Sequence, residues 1–225
     1  MIANVDVSIQ SNGSLLATRI EVDDLDATNV LTGPLGTVFG AQSEIVMLGR
    51  TNEEFNQSTV PGSNFMPYSY DANTAFGVSR QFVVPSNLPF SAKFDSANMI
   101  AGQNVAVGSQ VIVTSGGTLT HARTVTLMPQ TINGTVTGVA SGGGFTVYNV
   151  SLAAYDPFTL LAMQPGQTTV LQNPSSIEIY ADNNSQMLNS NAIVVGSVLR
   201  FNGLIFNDST TARMACRQVN DGVAP

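Results

Sequence analysis

The sequence has no tryptophan, and it contains one cysteine, Cys216, and one histidine, His121. Its only lysine is Lys93, and charged residues make up 10% of the chain, against about 25% in an average globular protein. A single cysteine excludes an intramolecular disulfide and a zinc site built on several cysteines. A single histidine leaves any Ser/His/Asp or Cys/His mechanism with one candidate base.

The charge balance is acidic, with eight basic residues against fifteen acidic ones and a net charge of -7. A protein that reads a phosphate backbone needs a positively charged stripe, so we expect no nucleic acid partner. The longest apolar runs, such as SVLRF and NGLIF, fall far short of the ~20 residues that span a bilayer. We therefore expect no membrane span.

The abundant residues are Thr, Ser, Asn, Gly and Val, which favour β-strands and polar turns. Few lysines and a low charge content are typical of exported proteins. The first ten residues, MIANVDVSIQ, lack the basic and apolar regions of a signal peptide. We therefore expect an exported, extracellular or cell-surface protein whose signal or anchor is not present in this chain.

Apolar residues alternate with polar ones along much of the chain, as in Val5, Val7 and Ile9 or in Val111 and Val113. Turn clusters such as SNG, SGG, SGGG and ADNNS separate these segments. Their spacing predicts the strands of a β-meander or a small barrel.

One segment occurs twice: GSLLATRIEV from residue 13 corresponds to GTLTHARTVTL from residue 117. The alignment places Val7 on Val111 before the turn and Ala17 on Ala122 after it. The second copy then has one extra residue in its second strand, and this predicts a β-bulge. A weaker third copy begins at Val195 and places Cys216 on Val22.

The opening segments repeat as well, since LGTVFGAQSEIVM from Leu35 matches NGTVTGVASGGGFTV from Asn133. Each full unit therefore opens with GTV and closes with a hairpin. The repeats predict an all-β chain of two tandem small OB-like barrels, preceded by a partial repeat. The predicted parts are a closing hairpin with an acidic linker over 1–28, a first barrel over 29–128 and a second barrel over 129–225.

These segments resemble a bacterial domain family of unknown function that occurs in tandem in exported proteins and forms a small OB-like barrel. The resemblance rests on ATRIEV at 17–22, VGSQVIVTSGGTL at 107–119 and GTVTGVASGGGFTV at 134–147. The chain departs from the family pattern in its long middle, residues 50–90. The resemblance implies a fold and an extracellular setting, and it implies no catalytic residue.

Candidate reactive groups are few. His121 lies on the inward side of a predicted strand without a nucleophile motif, so we expect it to make a structural hydrogen bond. Cys216 is expected to be a small buried side chain. The carboxylates of Asp23, Asp24 and Asp26 lack the spacing of a calcium loop, which favours a solvated linker. The sequence predicts no metal, no cofactor and no enzymatic activity.

Aromatic residues concentrate in the middle of the first unit, over 50–94, where a private core is the favoured interpretation. A second possibility is a stacking face for a carbohydrate or a peptide, formed by Tyr68 and Tyr70 together with Phe65.

The hairpin over 1–22 requires a cover for its apolar side, because an isolated two-stranded hairpin is marginal in water. A missing upstream unit, the first barrel or an adjacent copy of the chain could supply this cover. The residues predicted for self-association are Val5, Val7, Ile9, Leu16, Ile20 and Val22. The favoured function is thus a non-catalytic structural or interaction module with other protein copies or surface proteins as partners, and the alternative is a glycan- or peptide-binding module.

Overall fold

The computed structural model describes residues 2–9, 15–23, 29–48, 65–115, 117–153, 155–188 and 192–222. The chain is all-β and forms two closed barrels in tandem, as the repeats predict. The strands are β1 Ile2–Ile9, β2 Leu15–Asp23, β3 Asn29–Phe39, β4 Glu44–Leu48, β5 Phe65–Ser69, β6 Ala75–Val78, β7 Asn104–Thr114, β8 Gly117–Leu127, β9 Gln130–Gly142, β10 Phe145–Leu152, β11 Ser176–Met187, β12 Val198–Asp208 and β13 Thr211–Asp221. One α-helix, α1 Pro157–Ala162, lies between β10 and β11.

The two barrels follow the same pairing plan. In each, the opening strand pairs antiparallel with the first strand of the closing hairpin, β3 with β7 and β9 with β12. The second strand of that hairpin pairs in parallel with the strand or strands that precede the hairpin in the sequence. These are β5 and β6 for β8, and β11 for β13. The remaining antiparallel pairs complete both closures.

A β-bulge is present in all three hairpins, β1–β2, β7–β8 and β12–β13. The extra residue lies on the second strand each time, at Thr18, Arg123 and Arg217. The bulge predicted in the second strand of β7–β8 is therefore present. Because the first copy has a bulge too, the bulge does not explain why the second copy is longer, and that part of the interpretation is wrong. The hairpins differ in length at their tips: beyond the bulge, β1–β2 has three paired positions in the described residues, and β7–β8 and β12–β13 have six each.

The bulges also correct the alignment of the copies. The bulge of β1–β2 begins at Val7 and that of β7–β8 at Ser109, so Val7 corresponds to Ser109 and not to Val111. By the same count Cys216 corresponds to Ala122 and not to the strand end at Leu127.

An aromatic segment joins the two barrels. This wedge, defined as residues 79–103 between β6 and β7, packs Phe90 against Tyr180 with ring centroids 4.9 Å apart. Phe90 also lies 6.2 Å from Phe206, and the Arg213 guanidinium lies 5.7 Å from its ring centre. One hydrophobic cluster therefore extends from the first barrel into the second. The described part of the aromatic region, residues 65–94, does form a buried core, but this core is shared with the second barrel and is not private.

Polar contacts fix the joint between the barrels. The buried amide of Gln103 accepts a hydrogen bond from the Ile100 backbone N–H and donates one to the Ile205 carbonyl, each 2.8 Å long. Gly102 has a φ of +89°, and a Cβ at this position would lie 2.7 Å from the Phe158 ring. Both the left-handed backbone and the close approach require glycine here.

A loop of the second barrel covers a strand edge of the first. β3 pairs with β7 only as far as Pro34, which leaves its later residues without a strand on that side. The side chain of Gln167 exchanges hydrogen bonds with Val38 N–H and the Gly36 carbonyl, and the Thr168 N–H donates to the Val38 carbonyl. Covering an edge in this way removes a site for unwanted strand pairing.

Candidate functional site

A cleft with a volume of about 490 Å³ lies between the wedge and the second barrel. This inter-barrel cleft has apolar groups on the wedge side and polar groups mainly on the barrel side. Its lining residues are Gln81, Phe82, Val83, Pro85, Asp182, Asn184, Cys216 and Arg217. Its volume lies within the range of small-molecule sites.

The polar wall of the cleft is a tight loop within β11, where the pairing of β11 with β13 is interrupted between Ala181 and Gln186. Asp182 Oδ1 accepts hydrogen bonds from the Asn184 N–H at 2.9 Å and from the Ser185 hydroxyl at 3.1 Å. The Ser185 Oγ accepts from the Asp182 N–H and lies 2.8 Å from the Cys216 carbonyl, to which it can donate. Side chains thus close the loop and tie it to β13 beside the bulge.

The first barrel contains the same loop between β5 and β6. Asp71 Oδ1 accepts from the Asn73 N–H at 2.7 Å, and the Asp71 N–H donates to Thr74 Oγ1. The Thr74 hydroxyl donates in turn to the Ala122 carbonyl at 2.7 Å. Since Ala122 corresponds to Cys216, the loops occupy equivalent places and share the pattern Asp-x-Asn-Ser/Thr. The backbone hydrogen bond from Asn73 is the main cause that lowers the pKa of Asp71.

The bulged arginines lie beside these loops. Arg123 and Arg217 each follow the residue that the loop hydroxyl contacts, and both side chains are exposed. A bulge re-aims a side chain relative to its strand, and here it places Arg217 in the cleft wall next to Asp182 and Asn184. The guanidinium, carboxylate and amide groups suit a ligand with several hydrogen-bonding groups.

Cys216 is buried, as expected, with 6% of its surface exposed. Burial raises the pKa of its thiol to about 12, so the group remains protonated at neutral pH. A protonated thiol is a poor nucleophile, and Cys216 serves as a small packed side chain.

His121 makes the structural hydrogen bond that the sequence predicts. Its Nδ1 lies 3.1 Å from Ser69 Oγ, and its Nε2 lies 3.6 Å from Asp71 Oδ1. In a hydrolytic triad the carboxylate is buried and orients the imidazole. Here half of the Asp71 side chain is exposed, while the histidine is buried at the point where β5 meets β8. The contact between His121 and Ser69 thus links β8 to β5, where the first barrel closes.

The proposed stacking face of tyrosines is wrong. Tyr68 is fully buried and Tyr70 is 7% exposed, and the Tyr70 ring packs edge-on against Phe76 at 5.9 Å. Burial raises the pKa of Tyr68 to about 12. Alternation correctly placed both tyrosines on one side of the strand, but that side faces the core. The backbone of Phe65 pairs with Leu48 in the same sheet, and its side chain lies outside the described part.

The predicted self-association residues lie on β1 and β2, of which the structure describes the backbone. Val5 lies opposite Ile20, Val7 opposite Ala17 and Ile9 opposite Leu15. Leu16 lies opposite Ser8 instead of opposite a member of the predicted set. Val22 lies opposite Ala3. The two strands form a sheet of their own, and within the described residues neither pairs with a barrel strand.

Of the carboxylates predicted for the acidic linker, Asp24 and Asp26 lie outside the described residues, and the structure describes only the backbone of Asp23. Across the described ranges no three side chains of His, Cys, Asp or Glu come together in a group that could hold a metal ion. In those ranges, α1 is far too short to span a bilayer.

The sequence did contain a signal for the repeated loop. YDANT at 70–74 and ADNNS at 181–185 share the Asp-x-Asn-Ser/Thr pattern, and each precedes a closing hairpin. In the second segment the Asp182 carboxylate closes its own backbone loop by accepting the hydrogen bond from the Asn184 N–H.

The chain matches no known protein family, no curated protein and no solved structure.

Proposed function

We propose that this protein is a non-catalytic structural and interaction module, located outside the cytosol or on a cell surface, that associates with other copies of itself through its terminal strands. The tandem barrels share a hydrophobic cluster and a buried hydrogen-bonded joint, and such a connected interior suits a structural role. The low charge content and the single lysine support an extracellular setting.

The observation that carries this proposal is the state of the β1–β2 hairpin. It has the antiparallel pairing and the bulge of the closing hairpins β7–β8 and β12–β13. Each of those hairpins pairs on both outer edges with barrel strands, whereas β1 and β2 pair only with each other in the described residues. Free strand edges are templates for pairing with another chain.

Light scattering after size-exclusion chromatography tests this function. We expect the full chain to form concentration-dependent assemblies, and a variant that lacks residues 1–28 to be monomeric. Val5→Glu and Ile20→Glu, at paired positions of the hairpin, should each weaken association. Monomers in every case, with unchanged stability, would refute the proposal.

The inter-barrel cleft favours a second candidate, the binding of a small polar ligand such as an oligosaccharide. The wedge side of the cleft belongs to the aromatic region over 50–94, although its tyrosines take no part. Titration calorimetry with neutral oligosaccharides tests it. Arg217→Ala should reduce binding, while Arg123→Ala, at the equivalent bulge of the first barrel, is a matched control and should not. Absence of binding to the unmodified chain, or equal binding by both variants, would exclude this ligand class for the cleft.

A further inference from the structure

The tip of the β7–β8 hairpin exposes an unusual amount of apolar surface. We call residues 110–120 the arm. Val113 is 81% exposed, Val111 is 57% exposed and Leu119 is 52% exposed. The two valines alternate on β7 and share one face, while Leu119 lies opposite Ile112 on the other face. Both faces of the arm therefore present apolar side chains to solvent.

The equivalent segment of the second barrel is covered on both faces. Counted from the bulges, Val111 corresponds to Ile205 and Ile112 corresponds to Phe206, and both residues of β12 are fully buried. Ile205 packs in the core of its own barrel, whereas Phe206 belongs to the cluster shared with the wedge. The fold thus uses this segment as a docking element in one barrel and leaves it exposed in the other.

The charge distribution indicates what covers the arm. Residues 104–127 contain no acidic residue, and with Arg123 they carry a charge of +1 in a chain whose net charge is -7. Residues 1–28 carry five acidic residues against Arg19 alone. Residues 1–28, which include the terminal hairpin, are therefore strongly acidic, whereas the hairpin that carries the arm has no acidic residue and one arginine. Opposite charges steer association and set the orientation of partners.

We propose that the arm of one copy binds the β1–β2 hairpin of a second copy. This inference rests on the proposed self-association and identifies the surface that accepts the hairpin. The acceptor offers an apolar ribbon without acidic groups, and the donor offers two strands that lack barrel partners in the described residues. Contiguous apolar surface on a soluble protein marks such interaction sites. Because donor and acceptor are different surfaces, the contact is head-to-tail and propagates into chains of molecules.

Arm variants of the full chain test the proposal by sedimentation velocity over a range of concentrations. Val113→Glu and Leu119→Glu place a repelling charge on one face each, and their exposure makes both substitutions compatible with folding. We expect at least one of them to weaken association by about tenfold or more. Val113→Lys removes the same apolar contact but introduces a positive charge, which the acidic donor hairpin attracts. It should therefore weaken association less than Val113→Glu. Val139→Glu, at an exposed position of β9, is the control and should associate like the unmodified chain.

The outcomes separate this proposal from the function on which it rests. A monomeric unmodified chain refutes both. Assemblies that disappear without residues 1–28 but persist in both arm variants refute the arm as the acceptor and leave self-association intact. Assemblies that depend on the arm but not on residues 1–28 refute the hairpin as the donor. Loss of association both in the variant without residues 1–28 and in the arm variants, with unchanged circular dichroism, supports the contact between the hairpin and the arm.

Discussion

Replacing Phe90 with alanine should uncouple the two barrels. The ring is 9% exposed and packs against two aromatic rings and a guanidinium from the second barrel. That guanidinium, of Arg213, is held 2.8 Å from Asp208 Oδ2 and 3.0 Å from Glu178 Oε2, so it has little freedom to fill the space left by the ring. The cavity would therefore persist.

The expected cost follows from burial. Removing a buried phenylalanine side chain in this way costs about 3–5 kcal/mol of unfolding free energy. For a protein of this size each kcal/mol lowers the melting temperature by roughly 2–4 °C, so we expect a decrease of roughly 6–20 °C. Because the ring joins two barrels, the variant should also unfold in two steps, with the second barrel separating from the first.

Urea denaturation measures this effect, with circular dichroism and tyrosine fluorescence as probes, since the chain has no tryptophan. Val83→Ala is the control in the same segment. Val83 is 89% exposed, and its replacement should change stability by less than about 0.5 kcal/mol. A loss below about 1 kcal/mol for Phe90→Ala, with a single transition, would show that the wedge does not hold the barrels together.

Three further substitutions test individual contacts by urea denaturation. Tyr68→Phe removes a fully buried hydroxyl that has no hydrogen-bond partner among the described residues, so stability should stay the same or rise by up to about 1 kcal/mol, and a clear loss would contradict this. Asp182→Ala should cost about 1–2 kcal/mol because the loop N–H groups lose their acceptor, and Asp182→Asn should cost less because an oxygen remains for Asn184. Burial raises the pKa of Asp156 above its usual 3.8, so its ionisation destabilises the fold as pH rises through that range. Asp156→Asn, which keeps an acceptor for Phe158, should therefore gain more stability relative to the unmodified chain at pH 7 than at pH 3, and an equal difference at both values would refute the burial effect.

The sequence predicted the barrels because each closing hairpin repeats its alternation in phase. Val105 and Val107 of β7 are fully buried, whereas Val111 and Val113, which continue the same alternation and were expected in a half-buried strand, are 57% and 81% exposed. They lie beyond Ser109, the last residue of β7 that pairs with β3 in the described residues. The prediction did not depend on the exact correspondence of the copies. In the second copy the alignment was wrong by two residues in one strand, and a shift of two residues retains the face on which each side chain lies. In the third copy it was wrong by five residues in the second strand.

The site was less predictable, for physical reasons. Alternation groups Tyr68 with Tyr70 on one side of a strand, but it does not say which side another element covers. The inter-barrel cleft combines Gln81 with Arg217, residues that are far apart in the chain and meet only because the barrels pack against each other. The Asp-x-Asn-Ser/Thr loops were local and visible, and recognising them needed only a comparison of 70–74 with 181–185.

The order in which the chain is made gives the wedge a further consequence. Phe90 leaves the ribosome about 116 residues before Phe206 does. At about 5–20 residues per second, its partner surface is absent for roughly 6–23 seconds. Throughout that interval we expect the nascent first barrel to expose the aromatic residues of the wedge, whose charged residues are Arg80, Lys93 and Asp95. We therefore expect the half-made chain to aggregate more readily than the complete protein until the second barrel emerges and closes over Phe90.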